Sequence, residues 1–210
     1  MSNELKKRVL SSIIVIPISF FFIIKGSFYL IFFLSAILLI TIYEWNKICK
    51  KNILLKFLGI LFLIFSLFSA YYLRETEGLD YFFFVILVCI FTDIGGYIFG
   101  KVFNGPKLTK ISPNKTYAGM IGSFALAFTA GFLYIEYASG MKSPELATFI
   151  IIFFISSVSQ VGDLVISFFK RIAKIKNTGK ILPGHGGLLD RIDGLIFVFP
   201  ILYLCSFISL

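Results

Sequence analysis

Apolar runs of about 20 residues recur along this chain, and that recurrence leaves few folds open. It is the length an α-helix needs to cross roughly 30 Å of hydrocarbon. At that depth the backbone must satisfy its own N–H and C=O groups, which a helix does within one segment. The runs fall at 9–24, 28–43, 53–73, 81–100, 117–137, 146–169 and 189–210. The expected fold is all-α: a polytopic transmembrane helical bundle of about seven spans, forming one integral-membrane domain over 1–210. The first two runs are short, and Pro17 is placed to kink the first. Lys25-Gly26-Ser27 must join them as a tight hairpin. Lys6, Lys7 and Arg8 ahead of the first run imitate a secretory signal, but no small-residue cleavage pattern follows Ile24, so the run is kept as a span.

Charge placement orients the spans. On alternate sides, residues 6–8, 47–56, 101–115, 170–180 and 191 carry 17 of the 20 Lys and Arg residues, against Lys25, Arg74 and Lys142 opposite. Cytoplasmic segments hold the excess of cations. The N-terminus is therefore expected inside, the C-terminus outside, and the loops 101–116 and 170–188 on the cytoplasmic face of a cell's inner membrane. The net charge of +9 reports this topology rather than a nucleic-acid partner. Cys49, Cys89 and Cys205 lie far apart, with neither metal-type spacing nor a disulfide framework.

Ionisable groups inside spans are costly and are candidates for function. Asp93 heads a stripe with Gly96, Tyr97 and Gly100, at spacings i, i+3, i+4 and i+7, where the glycines admit another backbone or a ligand. Ser156, Gln160, Asp163, Ser167 and Lys170 form a second polar stripe leading into a basic stretch. Asp163 lies near the end of its span and Asp190 begins the next, so the chain can bring the two to one depth. Two converging carboxylates suit a hard cation, Mg²⁺ above all, with a second cation left open. Pairing of the acids with Lys170, Arg171 or Arg191 is the alternative. Asp193 shares a face with Asp190 and is open to Arg191 or a backbone donor.

Pro183 to Gly187 supplies small residues before a helix start, an arrangement whose N–H groups suit phosphate oxygens: Gly184, Gly186 and Gly187 are the candidates. His185, amid those glycines, reads equally as structural or catalytic. Lys170, Arg171, Lys174, Lys176 and Lys180 mark the inner face and suit lipid headgroups, with Lys170 and Arg171 the better phosphate contacts. Ser112, Lys115 and Thr116 suit phosphate too, or simply start a helix.

These stretches resemble the phosphatidate cytidylyltransferase family, also called CDP-diacylglycerol synthases. The signature S-x-x-K-R-x-x-x-x-K-D-x-G-x-x-x-P-G-H-G-G-x-x-D-R-x-D is met by Ser167, Lys170-Arg171, Lys176, Gly179, Pro183 to Gly187, Asp190-Arg191 and Asp193. Gln160-x-Gly162-Asp163, the I-S-P-x-K-T run from Ile111 to Thr116, and Asp93-x-x-Gly96-Tyr97 resemble further family elements. Asn177 departs from the signature's Asp, and Ala118 from the family's usual Glu. The likeness covers the catalytic spans 81–210 and finds only generic spans in 1–80.

The resemblance implies an enzyme that transfers CMP from CTP to phosphatidic acid, giving CDP-diacylglycerol and pyrophosphate. It implies Mg²⁺ at Asp163 and Asp190, charge neutralisation by Lys170, Arg171, Lys176 and Arg191, and a phosphate pocket shaped by His185 and the glycines. CTP, phosphatidic acid and the bilayer are the expected partners, and a homodimer is compatible with it. A CTP-dependent lipid kinase, with Asp93 or Asp193 as base, is the enzymatic alternative. An ion-coupled transporter would spread its acids in depth, whereas these gather toward the cytoplasmic side.

Overall fold

The computed structural model describes residues 3–50, 52–109, 112–138, 145–179, 181, 184 and 186–208, excepting the side chains of 3–10, 145 and 208. The described chain is helical: α1 (Asn3–Lys25), α2 (Ser27–Ile48), α3 (Ile53–Thr76), α4 (Gly78–Phe103), α5 (Tyr117–Tyr137), α6 (Glu145–Ile172), α7 (Leu189–Ile192) and α8 (Leu195–Ile208). Among the described residues, α2 to α6 are long and apolar enough to cross a membrane, while 11–25 and 195–207 form shorter apolar helices. The chain is a polytopic helical membrane protein. The expectation of seven spans thus becomes five full-length helices and two shorter ones. The expected last span, 189–210, is broken at Asp193-Gly194, and the 14 residues of α8 rise only about 21 Å. The second span, expected to end at residue 43, continues to Ile48.

The chain divides into two compact units, Met1–Leu79 with Phe169–Leu210, and Asp80–Phe168. In the first, α3 contacts both α2 and α8, and α1 lies against α2. Phe62 meets Phe197, while Phe65, Phe68 and Tyr72 surround Tyr203 at centroid distances of 4.9–5.7 Å. Such aromatic pairs supply dispersion contacts that lipid tails do not replace. The α1–α2 connection is the anticipated hairpin, with Gly26 at φ 65° and the Phe22 and Phe33 rings stacked at 5.2 Å. Arg74 caps it by donating to the carbonyls of Ile23 and Ile24 at 2.9 and 3.1 Å. Glu75 accepts from Ser27 N–H at 2.7 Å, at the start of α2. A cation at one helix's C-terminus and a carboxylate at the next one's N-terminus both oppose the helix dipoles. Arg74 therefore has work within the fold beyond marking a membrane face.

In the second unit, α4 and α5 meet backbone to backbone. A Cβ on Gly95 would overlap the Gly122 carbonyl, and one on Gly119 would lie 2.7 Å from Gly96 O. The small residues of the Asp93 stripe thus admit another helix, while Tyr97 remains exposed. On the other side of α5, Phe124 stacks on Phe153 and Phe128 on Phe149 of α6, at 4.9 and 4.3 Å. Thr116 caps α5, its side chain accepting from Gly119 N–H at 3.0 Å.

A candidate active site on the polar loops

Within the second unit the α6 stripe is a hydrogen-bonded ladder. Thr92 donates to Ser156 Oγ at 2.9 Å and Gln160 Nε2 to the same oxygen at 3.3 Å. Ser167 donates to Asp163 Oδ1 at 3.2 Å. Asp163 Oδ2 is ion-paired with Lys115 Nζ, both side chains 26% accessible. Lys115 reaches it because the loop after α4 folds back on itself. Leu108 N–H donates to Lys115 O at 2.8 Å, Tyr117 N–H to Pro106 O at 3.1 Å, and Lys115 N–H to Ser112 O at 3.0 Å. The motif around Ser112, Lys115 and Thr116 therefore combines a helix start at Thr116 with a lysine delivered to Asp163. Asp93 is an exposed residue of α4.

Within the first unit α6 ends in a tight turn. Ile175 N–H donates to Lys170 O and Lys174 N–H to Arg171 O, both at 3.0 Å, with Lys174 at φ 56°. This is the paired bond pattern of a Schellman motif with a lysine where glycine is usual. Lys170 Nζ pairs with Asp190 Oδ1 at 2.8 Å, the two side chains 13% and 10% accessible. Asp190 Oδ2 accepts from Thr178 N–H at 2.9 Å and Gly187 N–H at 3.1 Å. Arg171, Lys176 and Arg191 are exposed. Asp193 is buried and accepts from Gly194 N–H at 3.1 Å, a backbone donor of the kind expected for it. His185 lies outside the described residues, so its role is carried by neither geometry nor contact.

A further acid, absent from the sequence expectation, closes this loop. Glu44 of α2 is fully buried. Its Oε2 accepts from the Thr178 hydroxyl at 2.9 Å and Leu189 N–H at 2.8 Å, and its Oε1 from Leu188 N–H at 3.0 Å. A Cβ on Gly179 would overlap Glu44 Oε1, and one on Gly187 would lie 2.6 Å from Glu44 Oε2. The N–H groups of residues 187–189 are thus bonded to Asp190 and Glu44, and Gly187 is the one among them expected to face phosphate. Gly187 is small chiefly to admit the Thr178 hydroxyl, which a Cβ there would overlap, with Glu44 Oε2 the next atom. Gly184 and Gly186 keep φ values of 78° and 91°, which suit glycine alone. The signal for Glu44 was present: a lone acid in an apolar helix, one residue past the expected end of the span.

Each of the two expected metal carboxylates carries a lysine within its own unit: Asp190 has the anticipated Lys170, while Asp163 has Lys115, which is not among its expected partners. Their convergence on one ion is carried by neither unit alone. Among the described residues no group of three His, Cys, Asp or Glu side chains converges. Mg²⁺ does not require one, since it keeps several waters and takes one or two carboxylates together with substrate phosphates. Asp163 fits that role, with hard oxygens and partial access to water. Asp190 fits only if Lys170 moves aside.

Helices that can span a bilayer, with a lysine–carboxylate pair held at a polar loop in each unit, define a polytopic membrane protein with charged groups at its loops. The chain belongs to the cytidylyltransferase family, which is matched over residues 49–209. Curated relatives are named phosphatidate cytidylyltransferase. That of Brucella melitensis is 42% identical over 151 residues, 68% of this chain and 54% of the relative. That of Staphylococcus haemolyticus is 40% identical over 136 residues, 64% and 52% of the two chains. That of Bacillus subtilis is 40% identical over 130 residues, 61% and 48%. The chain spans about half the length of the curated relatives it matches. Glu44 precedes the family match.

Proposed function

We propose that this chain transfers CMP from CTP to phosphatidic acid, with its polar loops on the cytoplasmic face of the inner membrane. One observation carries the reading. A polytopic membrane chain of the cytidylyltransferase family presents lysines, each held by a carboxylate, at the two loops that the signature residues occupy. In the reaction, a phosphate oxygen of phosphatidic acid attacks the α-phosphorus of CTP. The bond from that phosphorus to the bridging oxygen breaks, and pyrophosphate leaves. The attacking group is already anionic, so alignment and charge neutralisation supply most of the catalysis, and no strong base is needed.

We assign Mg²⁺ as the cofactor, with Asp163 and Asp190 as the carboxylates that receive it. When bound, it polarises phosphoryl oxygens and templates the polyphosphate. Lys115 and Lys170 would meet phosphate oxygens as point charges. Arg171, Lys176 and Arg191 are exposed on the same stretch of chain and supply further positive charge. The acyl chains stay in the bilayer. The excess of cations on one set of loops supports the cytoplasmic placement.

The test is phosphatidate-dependent release of pyrophosphate from CTP by the purified chain in detergent micelles with Mg²⁺. Release should fall at least 100-fold in Asp163→Asn and Asp190→Asn, on the order expected for losing a charged group that aligns phosphates. Release that ignores phosphatidate, or that survives both substitutions, would sink the reading.

A further inference from the structure

The reaction proposed above leaves one unusual feature without a use. Glu44 is a fully buried carboxylate on α2, and its acceptors are taken by three donors from residues 178–189. A buried carboxylate is costly unless it is hydrogen-bonded on this scale. Apolar side chains would hold two segments together more cheaply. What a carboxylate adds is direction. Its two oxygens fix the Thr178 hydroxyl and the two successive N–H groups of Leu188 and Leu189. Thr178 is bonded from both sides, its hydroxyl to Glu44 and its N–H to Asp190 at 2.9 Å.

α2 brings Glu44 here through one buried face. Thr41, Glu44, Trp45 and Ile48 are buried at helical spacing. The Trp45 ring lies edge-on to Phe169 at 5.2 Å, and its Nε1 donates to Leu55 O at 3.3 Å. The carboxylate is thus aimed from a packed helix, while its targets lie on a loop with little regular structure.

We propose that Glu44 is a positioning residue for nucleotidyl transfer. It holds Thr178 against Leu188 and Leu189, and so fixes Asp190, the next residue, together with its partner Lys170. The proposal rests on the nucleotidyl-transfer reading, and it accounts for the signature Gly179 by a neighbour outside the signature. Gly179 is small because the Glu44 carboxylate occupies the space a Cβ would take, and a Cβ on Gly187 would overlap the Thr178 hydroxyl that Glu44 holds. Glutamine at position 44 keeps the shape but retains at most two of the three bonds, because its NH2 must face at least one N–H donor.

The test compares wild type with Glu44→Gln and the milder Thr178→Val. Label transfer from CTP to phosphatidate is measured beside hydrogen exchange at the amides of residues 178, 188 and 189. Glu44→Gln should lower kcat/KM for CTP roughly 10- to 100-fold, the scale of a small misplacement of reacting groups. It should leave KM for phosphatidate within about twofold of wild type and speed exchange at those amides. Thr178→Val should move both readouts the same way by less. Gly179→Ala should impair the wild type yet add nothing to Glu44→Ala, because the clash partner is then gone. A loss in kcat alone, with both KM values and exchange unchanged, would mean fewer active molecules and would overturn the proposal. Additive Gly179→Ala and Glu44→Ala effects would overturn it too. Wild type that moves no label, with exchange still faster in Glu44→Gln, would defeat the transfer reading and the catalytic half of this proposal, leaving Glu44 only as a clamp.

Discussion

Asp190→Asn isolates the interaction on which the first unit's loop depends. The carboxylate holds Lys170 on Oδ1 and two N–H groups on Oδ2, with 10% of its side chain accessible. Asparagine keeps one oxygen. Turned toward Thr178 and Gly187, it leaves its NH2 facing the Lys170 ammonium. Turned the other way, it presents donors to both N–H groups, so the first orientation wins. The cost is then an ammonium only 13% accessible that has lost its acceptor. Breaking a buried pair on one side costs about 3–5 kcal/mol, and partial access to water places this one near about 3 kcal/mol. Lys170→Met instead leaves Asp190 its two N–H bonds and should cost about 1–2 kcal/mol. The double substitution removes the orphaned cation, so it should cost about 2 kcal/mol less than the sum. The assay is thermal unfolding in detergent. For a chain of this size about 2–4 °C accompanies each kcal/mol, so Asp190→Asn should lower the midpoint by about 6–12 °C. A shift below about 1 °C, or strictly additive effects, would refute the reasoning.

The other outcomes concern the remaining ends of the loops. Lys174→Gly should raise the unfolding midpoint by about 2–4 °C, equivalent to about 1 kcal/mol, because it removes a side chain from a left-handed position. Lys115→Met should cost less than about 1 kcal/mol, since both partners are 26% accessible and screened, yet reduce label transfer at least tenfold. Lys176→Cys, in a Cys205→Ser background, should react with an impermeant maleimide only when the cytoplasmic face is open. Cys49 should stay slow, because burial pushes its thiol up and outweighs the nearby Lys56, so less thiolate is present at neutral pH.

Hydrophobic run length was enough to read the helices, because membrane depth admits little else in their place. The Gly26 hairpin and the Thr116 cap were legible as local chemistry. Two features were not. Asp193-Gly194 interrupts the last apolar run, because the buried Asp193 accepts the Gly194 N–H while the Gly194 carbonyl accepts from Phe197 and Val198. Hydropathy averages cannot register a single bond of that kind. Glu44 was missed because its partners lie more than 130 residues away. The apolar run ends at Tyr43, which places the acid just past the expected span. Gly187 is expected to open toward phosphate, whereas the Thr178 hydroxyl and the Glu44 carboxylate fill the space beside it.

The most direct measurement follows two labels from CTP in vesicles or micelles containing phosphatidate, Mg²⁺ and the purified chain. Label on the α-phosphorus should enter the lipid fraction with one pyrophosphate released per lipid, and label on the γ-phosphorus should never do so. γ-Label in lipid with CDP as co-product, or no label in lipid from either position, would contradict CMP transfer by this chain.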